Sequence, residues 1–264
     1  MCEKKYPSDL TDGEWQYLKK CVPPQKRRGR RRKHEWREIL NALFYLLRTG
    51  CAWRYLPRDY PPWKTVYHYF REWRTSGRWQ RINKRLRRLL RKNAGRHVQA
   101  SAAILDSQSV KTGDTAREAV GFDAGKRVKG RKRHILVDTV GLLITVVVHA
   151  ANVSETAGAR LVLAALAEKW WRLKLIWLDG GYKDSLFEWV KTIKRWRHVR
   201  IEQVKRHEQH KGFVVLAKRW IVERTFGWLT KQRRLSKDYE ALCETSEAMV
   251  YAAMIRLMLA RLDT

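Results

Sequence analysis

The sequence predicts a small all-α, helix-turn-helix-like domain over residues 1–97, followed by an α/β domain over residues 98–264 in which a mixed sheet is flanked by helices. Three observations carry this prediction. Apolar residues recur at helical spacing as far as about residue 95. From residue 102 onward, short apolar runs bounded by turn residues read as strands. Those strands come first as a group and then alternate with helices, the pattern of a mixed sheet.

In the helical part, Thr11 followed by Glu14 is a capping-box signature that opens a short helix with Trp15 and Leu18 on one face. Pro23 and Pro24 stop it, and the basic segment 26–33, KRRGRRRK, is too charged to pack. A second helix carries Trp36, Ile39, Leu40, Leu43 and Leu47. Gly50, Pro57, Pro61 and Pro62 break residues 49–63, leaving room for one short turn. A third helix turns Val66, Phe70 and Trp73 inward and leaves His68, Arg71 and Arg74 outward; Gly77 ends it. The fourth sets Trp79, Ile82, Leu86, Leu89 and Leu90 in a stripe with a dense Arg/Lys back.

In the second part the chain reads as a strand at 102–106, a basic loop, a strand at 133–140, a turn at Gly141 and a strand at 142–150. A helix over 155–170 follows, then a strand at 174–179 and a helix from 184 to about 196. Next come a strand near 199–204 and the helix around Glu223. The Met- and Leu-rich stretch 246–262 reads as a helix that serves packing or an oligomer contact. No internal repeat is evident.

Charge narrows the partners. The chain has 264 residues with 57 Lys and Arg against 26 acidic residues, a net charge of +31. Residues 1–100 hold 27 of the basic residues and 8 of the acidic ones. Such an excess calls for a polyanion, and double-stranded DNA fits best. The rival is a helical bundle whose charges merely solubilise it. A membrane surface fits less well, because no run approaches 18 apolar residues and MCEKKYPSDL lacks a signal peptide's apolar segment. The four cysteines lie far apart without a CxxC pair, so they read as isolated, mostly buried thiols in a reducing cytoplasm. HEQH at His207–His210 resembles half a metal site without a partner cluster and reads as an exposed loop.

Three carboxylates stand out. Asp106 and Asp179 end the apolar runs AAILD and KLIWLD, and Glu223 sits in the amphipathic stretch KRWIVERTFGWLTKQRRL. An Asp at a strand end points into the crevice at the sheet's carboxyl edge. Gly180 and Gly181 would let a ligand approach the backbone after Asp179. Hard oxygen donors of this kind suit a pair of Mg²⁺ ions. Each Asp could equally cap its own turn, and Arg219, four residues before Glu223, could be a plain surface ion pair. Spacing leaves both alternatives open.

These blocks, with GFDAGKRVKGRKRHILVDTVGLL between the first two and GCAWRYLPRDYPPWKTVYHYFREW in the helical part, resemble a DDE-type insertion-sequence transposase of the insertion-sequence-five group. The similarity runs from about Tyr6 to the last helix. It implies a ribonuclease-H-like catalytic domain with Asp106, Asp179 and Glu223 as catalytic residues and ligands of two Mg²⁺ (or Mn²⁺) ions. The implied activity is metal-dependent cleavage at the terminal inverted repeats of an insertion sequence and strand transfer into target DNA. A homo-oligomer on paired ends and a cytoplasmic, nucleoid-associated, prokaryotic setting are further expectations, with no membrane.

Arg219 and the run Lys126, Arg127, Lys129, Arg131, Lys132 and Arg133 are expected to contact DNA, together with His68, Arg71 and Arg74. Residues 1–95 alone are expected to bind the element's ends. A related group carries a Tyr before that Arg and a Lys after the Glu, where this chain has Leu216 and Thr230, with Lys231 one step later. No role is assigned to Lys231. Asp114, Asp123 and Asp138 read as structural or loop residues. A DNA-binding regulator with a dead site, and a nuclease without strand transfer, are the rival readings.

Overall fold

In the helical part, local signals and burial agree. The Thr11 hydroxyl accepts from the Glu14 amide and the Glu14 carboxylate accepts from the Thr11 amide, opening α1 (Asp12–Leu18). A second box between Glu35 and Glu38 opens α2 (Trp36–Thr49), which stops at Gly50 in the left-handed conformation. One 3₁₀ turn, Trp53–Tyr55, interrupts the broken stretch before α3 (Trp63–Thr75) and α4 (Arg78–Asn93). The structure, a computed structural model, describes residues 5–25, 31–166, 170–194, 196–204 and 219–264. Residues 26–30 of the basic segment, Cys2, His207–His210 and Leu216 lie outside the described residues.

The sheet comprises β1 (Ala102–Lys111), β2 (Gly121–Asp123), β3 (Val128–Asp138), β4 (Leu143–Ala150), β5 (Leu175–Leu178) and β6 (Arg200–Gln203). β1, β3 and β4 are antiparallel neighbours, β5 and β6 extend the sheet from β1 in parallel, and β2 pairs with the start of β3. Helices α5 (Glu155–Ala164), α6 (Asp184–Thr192), α7 (Trp220–Thr230) and α8 (Cys243–Leu262) complete the chain. This is the mixed sheet with flanking helices that the sequence predicts.

Some boundaries differ. β1 runs on to Lys111, five residues beyond the expected end, and β3 takes up residues expected as a basic loop. α5 stops at Ala164 and α6 at Thr192, whose hydroxyl bonds the Trp189 carbonyl at 2.7 Å in competition with the helix ladder.

The two sheet faces bury separate cores. Ala103, Leu105, Leu136 and Ile144 face α5 and α6. Ile104, Ile135, Val137, Val146 and Val148 face the other way, toward α8 and the N-terminal helices. That second core runs across residue 97 without a break, from Leu10 and Leu18 to Leu259 and Leu262. α8 supplies its centre: residues 248–255 are all buried, as expected of a helix apolar on every side. It is thus a packing element.

Polar ties cross the same seam. Arg91 Nη1 lies 2.8 Å from Asp138 Oδ2 with both side chains buried, so Asp138 is structural. Asn83 donates to the Leu143 carbonyl at 2.9 Å, and Arg256 pairs with the buried Glu14. Arg74, expected outward, instead donates to Thr245 Oγ1 at 2.7 Å and pairs with Glu244 at the start of α8. The described cysteines, Cys21, Cys51 and Cys243, are free and half-buried, less enclosed than expected. Among the described residues, no helix is long and apolar enough to cross a membrane.

Removing one partner of a buried ion pair leaves the other uncompensated. Arg91→Ala should therefore lower unfolding free energy in urea by about 3 kcal/mol, in one transition seen alike by tryptophan fluorescence and circular dichroism. Two separated transitions would show that the helices and the sheet unfold independently.

Candidate active site

Strand register brings the first two carboxylates together. β1 and β5 pair in parallel with Ala102 opposite Leu175 and Ile104 opposite Trp177. The same offset, carried two residues further, sets Asp106 beside Asp179, on neighbouring strand paths about 4.8 Å apart. Asp106 is not at a strand end as expected; β5 ends instead, and the uncovered edge of β1 gives Asp106 its opening. Pleating turns Asp106 to the same face as Ile104, the face that α7 covers.

Glu223 lies on the exposed side of α7, whose Ile221, Val222, Phe226 and Leu229 are buried. Arg219 joins it to the pocket. Its Nη2 stands 3.6 Å from Glu223 Oε1 and 3.8 Å from Asp179 Oδ2. Asp179 Oδ1 also accepts the Gly181 amide at 2.9 Å, and Asp106 Oδ1 accepts the Ser107 amide at 2.7 Å. Burial, reinforced by the like charge of Asp179, pushes the Asp106 carboxyl up to about 7 despite the Ser107 amide and the nearby Arg219 and Lys126.

A second polar group, not foreseen in the sequence, lies under the other face. Glu155, in the first turn of α5, has Oε1 3.0 Å from Lys132 Nζ and 3.7 Å from Lys126 Nζ, and Oε2 3.0 Å from His134 Nε2. Burial would raise the Glu155 carboxyl, but His134, Ser107 and Lys132 hold it well below the usual range. His134 Nδ1 lies 2.8 Å from His149 Nε2, and His149 Nδ1 lies 2.9 Å from the Ala150 carbonyl. A carbonyl only accepts, so His149 Nδ1 donates to Ala150. Burial pushes His149 down to about 4. Gly158 admits this stack, since a Cβ there would lie 2.3 Å from His134 Cε1. Tyr182, buried with its hydroxyl unpartnered among the described residues, is held far above the ordinary phenol range by burial and by Asp106, Glu155 and Asp179.

The expected DNA contacts divide. Lys126, Arg127 and Lys129 are exposed near the β2–β3 turn, and Lys126 Nζ reaches the Ser107 hydroxyl and carbonyl at 3.3 Å each. His68 and Arg71 are exposed on α3. Arg131, Lys132 and Arg133 correct the expectation: all three are buried in β3. Arg131 donates to the carbonyls of Glu118, Glu240 and Ala241, and Arg133 to those of Leu235 and Lys237. Lys132 is enclosed by Val153, Glu155 and Asp123. None of the three presents a side chain to a phosphate. Asp123 accepts from Ser109 Oγ at 2.6 Å, a structural role as read from sequence.

The donor set suits a hard divalent cation: the three predicted acids offer only oxygen, and Asp106 beside Asp179 is short of positive charge. With Arg219 between Asp179 and Glu223, no three His, Cys, Asp or Glu side chains among the described residues stand close enough to hold a metal ion. A cation in the pocket would take over the charge that Arg219 now supplies.

The raised Asp106 carboxyl destabilises the fold without metal. The penalty is absent below the ordinary carboxylate pKa of about 3.9, grows as pH rises and is complete above about 7. Asp106→Asn should thus stabilise the protein in EDTA at pH 8 by about 2 kcal/mol, allowing for solvent screening, and confer little at pH 4. An equal effect at both pH values in urea titrations would show that Asp106 ionises normally.

Comparison with known families places these residues in context. Residues 97–258 match the model of the transposase DDE domain, and residues 10–83 match the model described as "Putative transposase of IS4/5 family (DUF4096)". The 16.2 kDa uncharacterized protein of insertion element IS402 from Burkholderia cepacia is 29% identical over 110 residues, covering 39% of this chain and 72% of that protein.

Proposed function

The chain belongs to the DDE-domain transposases, and from that premise we propose that it binds the terminal inverted repeats of an insertion sequence, cuts there and joins the freed end to target DNA. The observation that carries this reading is the register of β1 and β5, which seats Asp106 beside Asp179 under the helix that bears Glu223. The proposed fold of the sheet domain is ribonuclease-H-like, with three antiparallel strands extended by two parallel ones. The proposed setting is the cytoplasm and nucleoid of a prokaryote, with a homo-oligomer on paired ends.

Asp106, Asp179 and Glu223 would hold two Mg²⁺ or Mn²⁺ ions. When bound, such ions lower the pKa of an attacking water or hydroxyl and stabilise the departing oxygen. Arg219 would release Asp179 and Glu223 and become free for a DNA phosphate. Ionised Asp106 is required for this arrangement, and burial makes it reluctant until positive charge arrives. Lys126, steadied by Ser107 and Glu155, favours the ionised form of Asp106, and Arg127 and Lys129 are exposed beside it in sequence.

Hydrolysis breaks the bond between phosphorus and the 3′ oxygen of the element's end, leaving a 3′-hydroxyl and a 5′-phosphate on the flank. That hydroxyl then attacks a phosphodiester of the target, whose own 3′ oxygen departs. No protein nucleophile is needed.

Asp106→Ala, Asp179→Ala or Glu223→Ala should each reduce cleavage of a duplex carrying the element's end by about 10³-fold or more, because each removes several kcal/mol of charge stabilisation. Binding of the same duplex in EDTA should persist. A variant that still cleaves at the wild-type rate would take its residue out of the triad. A nick without joining of a pre-cleaved end would point to a simple nuclease.

A further inference from the structure

α7 connects two differently charged places. Its first turn carries Glu223, with Arg219 at its N-cap. Just past its last turn, Lys231 joins Arg48, Thr49 and Arg233 in lining an open cleft of about 600 Å³. Three of the four lining residues are cationic and none is acidic. Among the described residues, none of the three cations has an acidic partner.

The cleft is assembled from segments far apart in sequence. Arg48 Nη1 donates to the Lys231 carbonyl at 3.0 Å, fixing the end of α2 against the end of α7. Gly50, with φ of 75°, lets the two backbones close up: a Cβ there would lie 3.1 Å from Arg233 Cβ. A basic residue at a helix C-terminus commonly offsets the helix dipole. That explains Arg48, which caps a carbonyl of α7. It does not explain Arg233, which lies beyond the helix in the 3₁₀ turn Arg233–Leu235. Gathering these cations raises like-charge repulsion that an anion would relieve.

The position of the cleft selects the anion. Glu223 and Lys231 are eight residues apart, about 12 Å of helix at 1.5 Å per residue. A DNA strand advances about 3.4 Å along the duplex axis per nucleotide, so the cleft lies within about four nucleotides of a phosphate held at Glu223. We propose that the cleft of Arg48, Thr49, Lys231 and Arg233 grips the DNA backbone within four nucleotides of the cut, a placement that rests on the transposase reading.

The test uses the full chain in EDTA and a duplex of the element's own end in which single neutral methylphosphonates replace each of the four phosphates on either side of the cut. Arg233→Ala and Lys231→Ala are the variants of choice, since neither side chain is hydrogen-bonded among the described residues. For wild type, one or two neutral positions should weaken binding by about threefold to tenfold. Each variant should bind the unmodified duplex correspondingly less well, lose about 0.9 from the log–log salt slope per contact, and no longer respond to the same methylphosphonate. Wild type indifferent to every position, or variants that keep the wild-type response, would overturn the cleft while leaving the transposase reading intact. Failure of wild type to bind any duplex would overturn both.

Discussion

Everything in this molecule is arranged around a helix that has almost no face to give to water. α8 is buried along residues 248–255, so it must be enclosed on all sides or not form. Four N-terminal helices close over part of it, and β4 with the adjacent strands closes over the rest. The polar groups trapped at this seam are matched: Arg91 with Asp138, Asn83 with the Leu143 carbonyl, Arg256 with Glu14. The matches family models find at residues 10–83 and 97–258 therefore meet in one continuous core. Residues 1–97 taken alone would leave that core without its central helix.

The strand β3 solves a related problem with charge. Arg131, Lys132, Arg133 and His134 follow one another, and the pleat sends them alternately to opposite faces. Arg131 and Arg133 collect carbonyls of residues 235–241 and so fix the segment between α7 and α8. Lys132 and His134 turn the other way and hold Glu155. A run that a composition argument assigns to solvent or phosphate is instead internal scaffolding. The partners of Arg131 and Arg133 between α7 and α8 lie 102 to 110 residues away, and nothing local in KGRKRH announces them.

That contrast marks what was legible in the sequence. The capping box of Thr11 and Glu14, the stripe of Val66, Phe70 and Trp73, and the strand-like runs before Asp106 and Asp179 are local patterns, and local patterns survived. The continuation of β1 past Asp106 was not visible, because polar residues 107–111 follow the apolar run while their pairing with β3 is long-range. Arg74 was misplaced for the same reason: its helical phase is outward, but the start of α8 arrives to meet it. At the site, the acids and Arg219 could be named from motifs. Glu155 and Tyr182 could not, since a Glu opening a helix and a Tyr after two glycines each have ordinary local explanations.

The pocket sets an electrostatic problem that explains the distribution of charge around it. Carboxylates repel a phosphodiester, and Asp106 already resists ionising beside Asp179. Arg219 answers part of this by standing within 4 Å of Asp179 and Glu223, and divalent ions at the same place would answer it more fully. Neither draws a long polyanion to the site from a distance. On the proposed reading, that task falls to Arg127 and Lys129, exposed near the β2–β3 turn, and to the cationic cleft at the far end of α7. Such a positive surround with a negative centre would let the backbone be held on both sides while the strand between is brought to the carboxylates. On that proposal, the length of α7 would turn an attraction that reads no sequence into a defined distance from the cut.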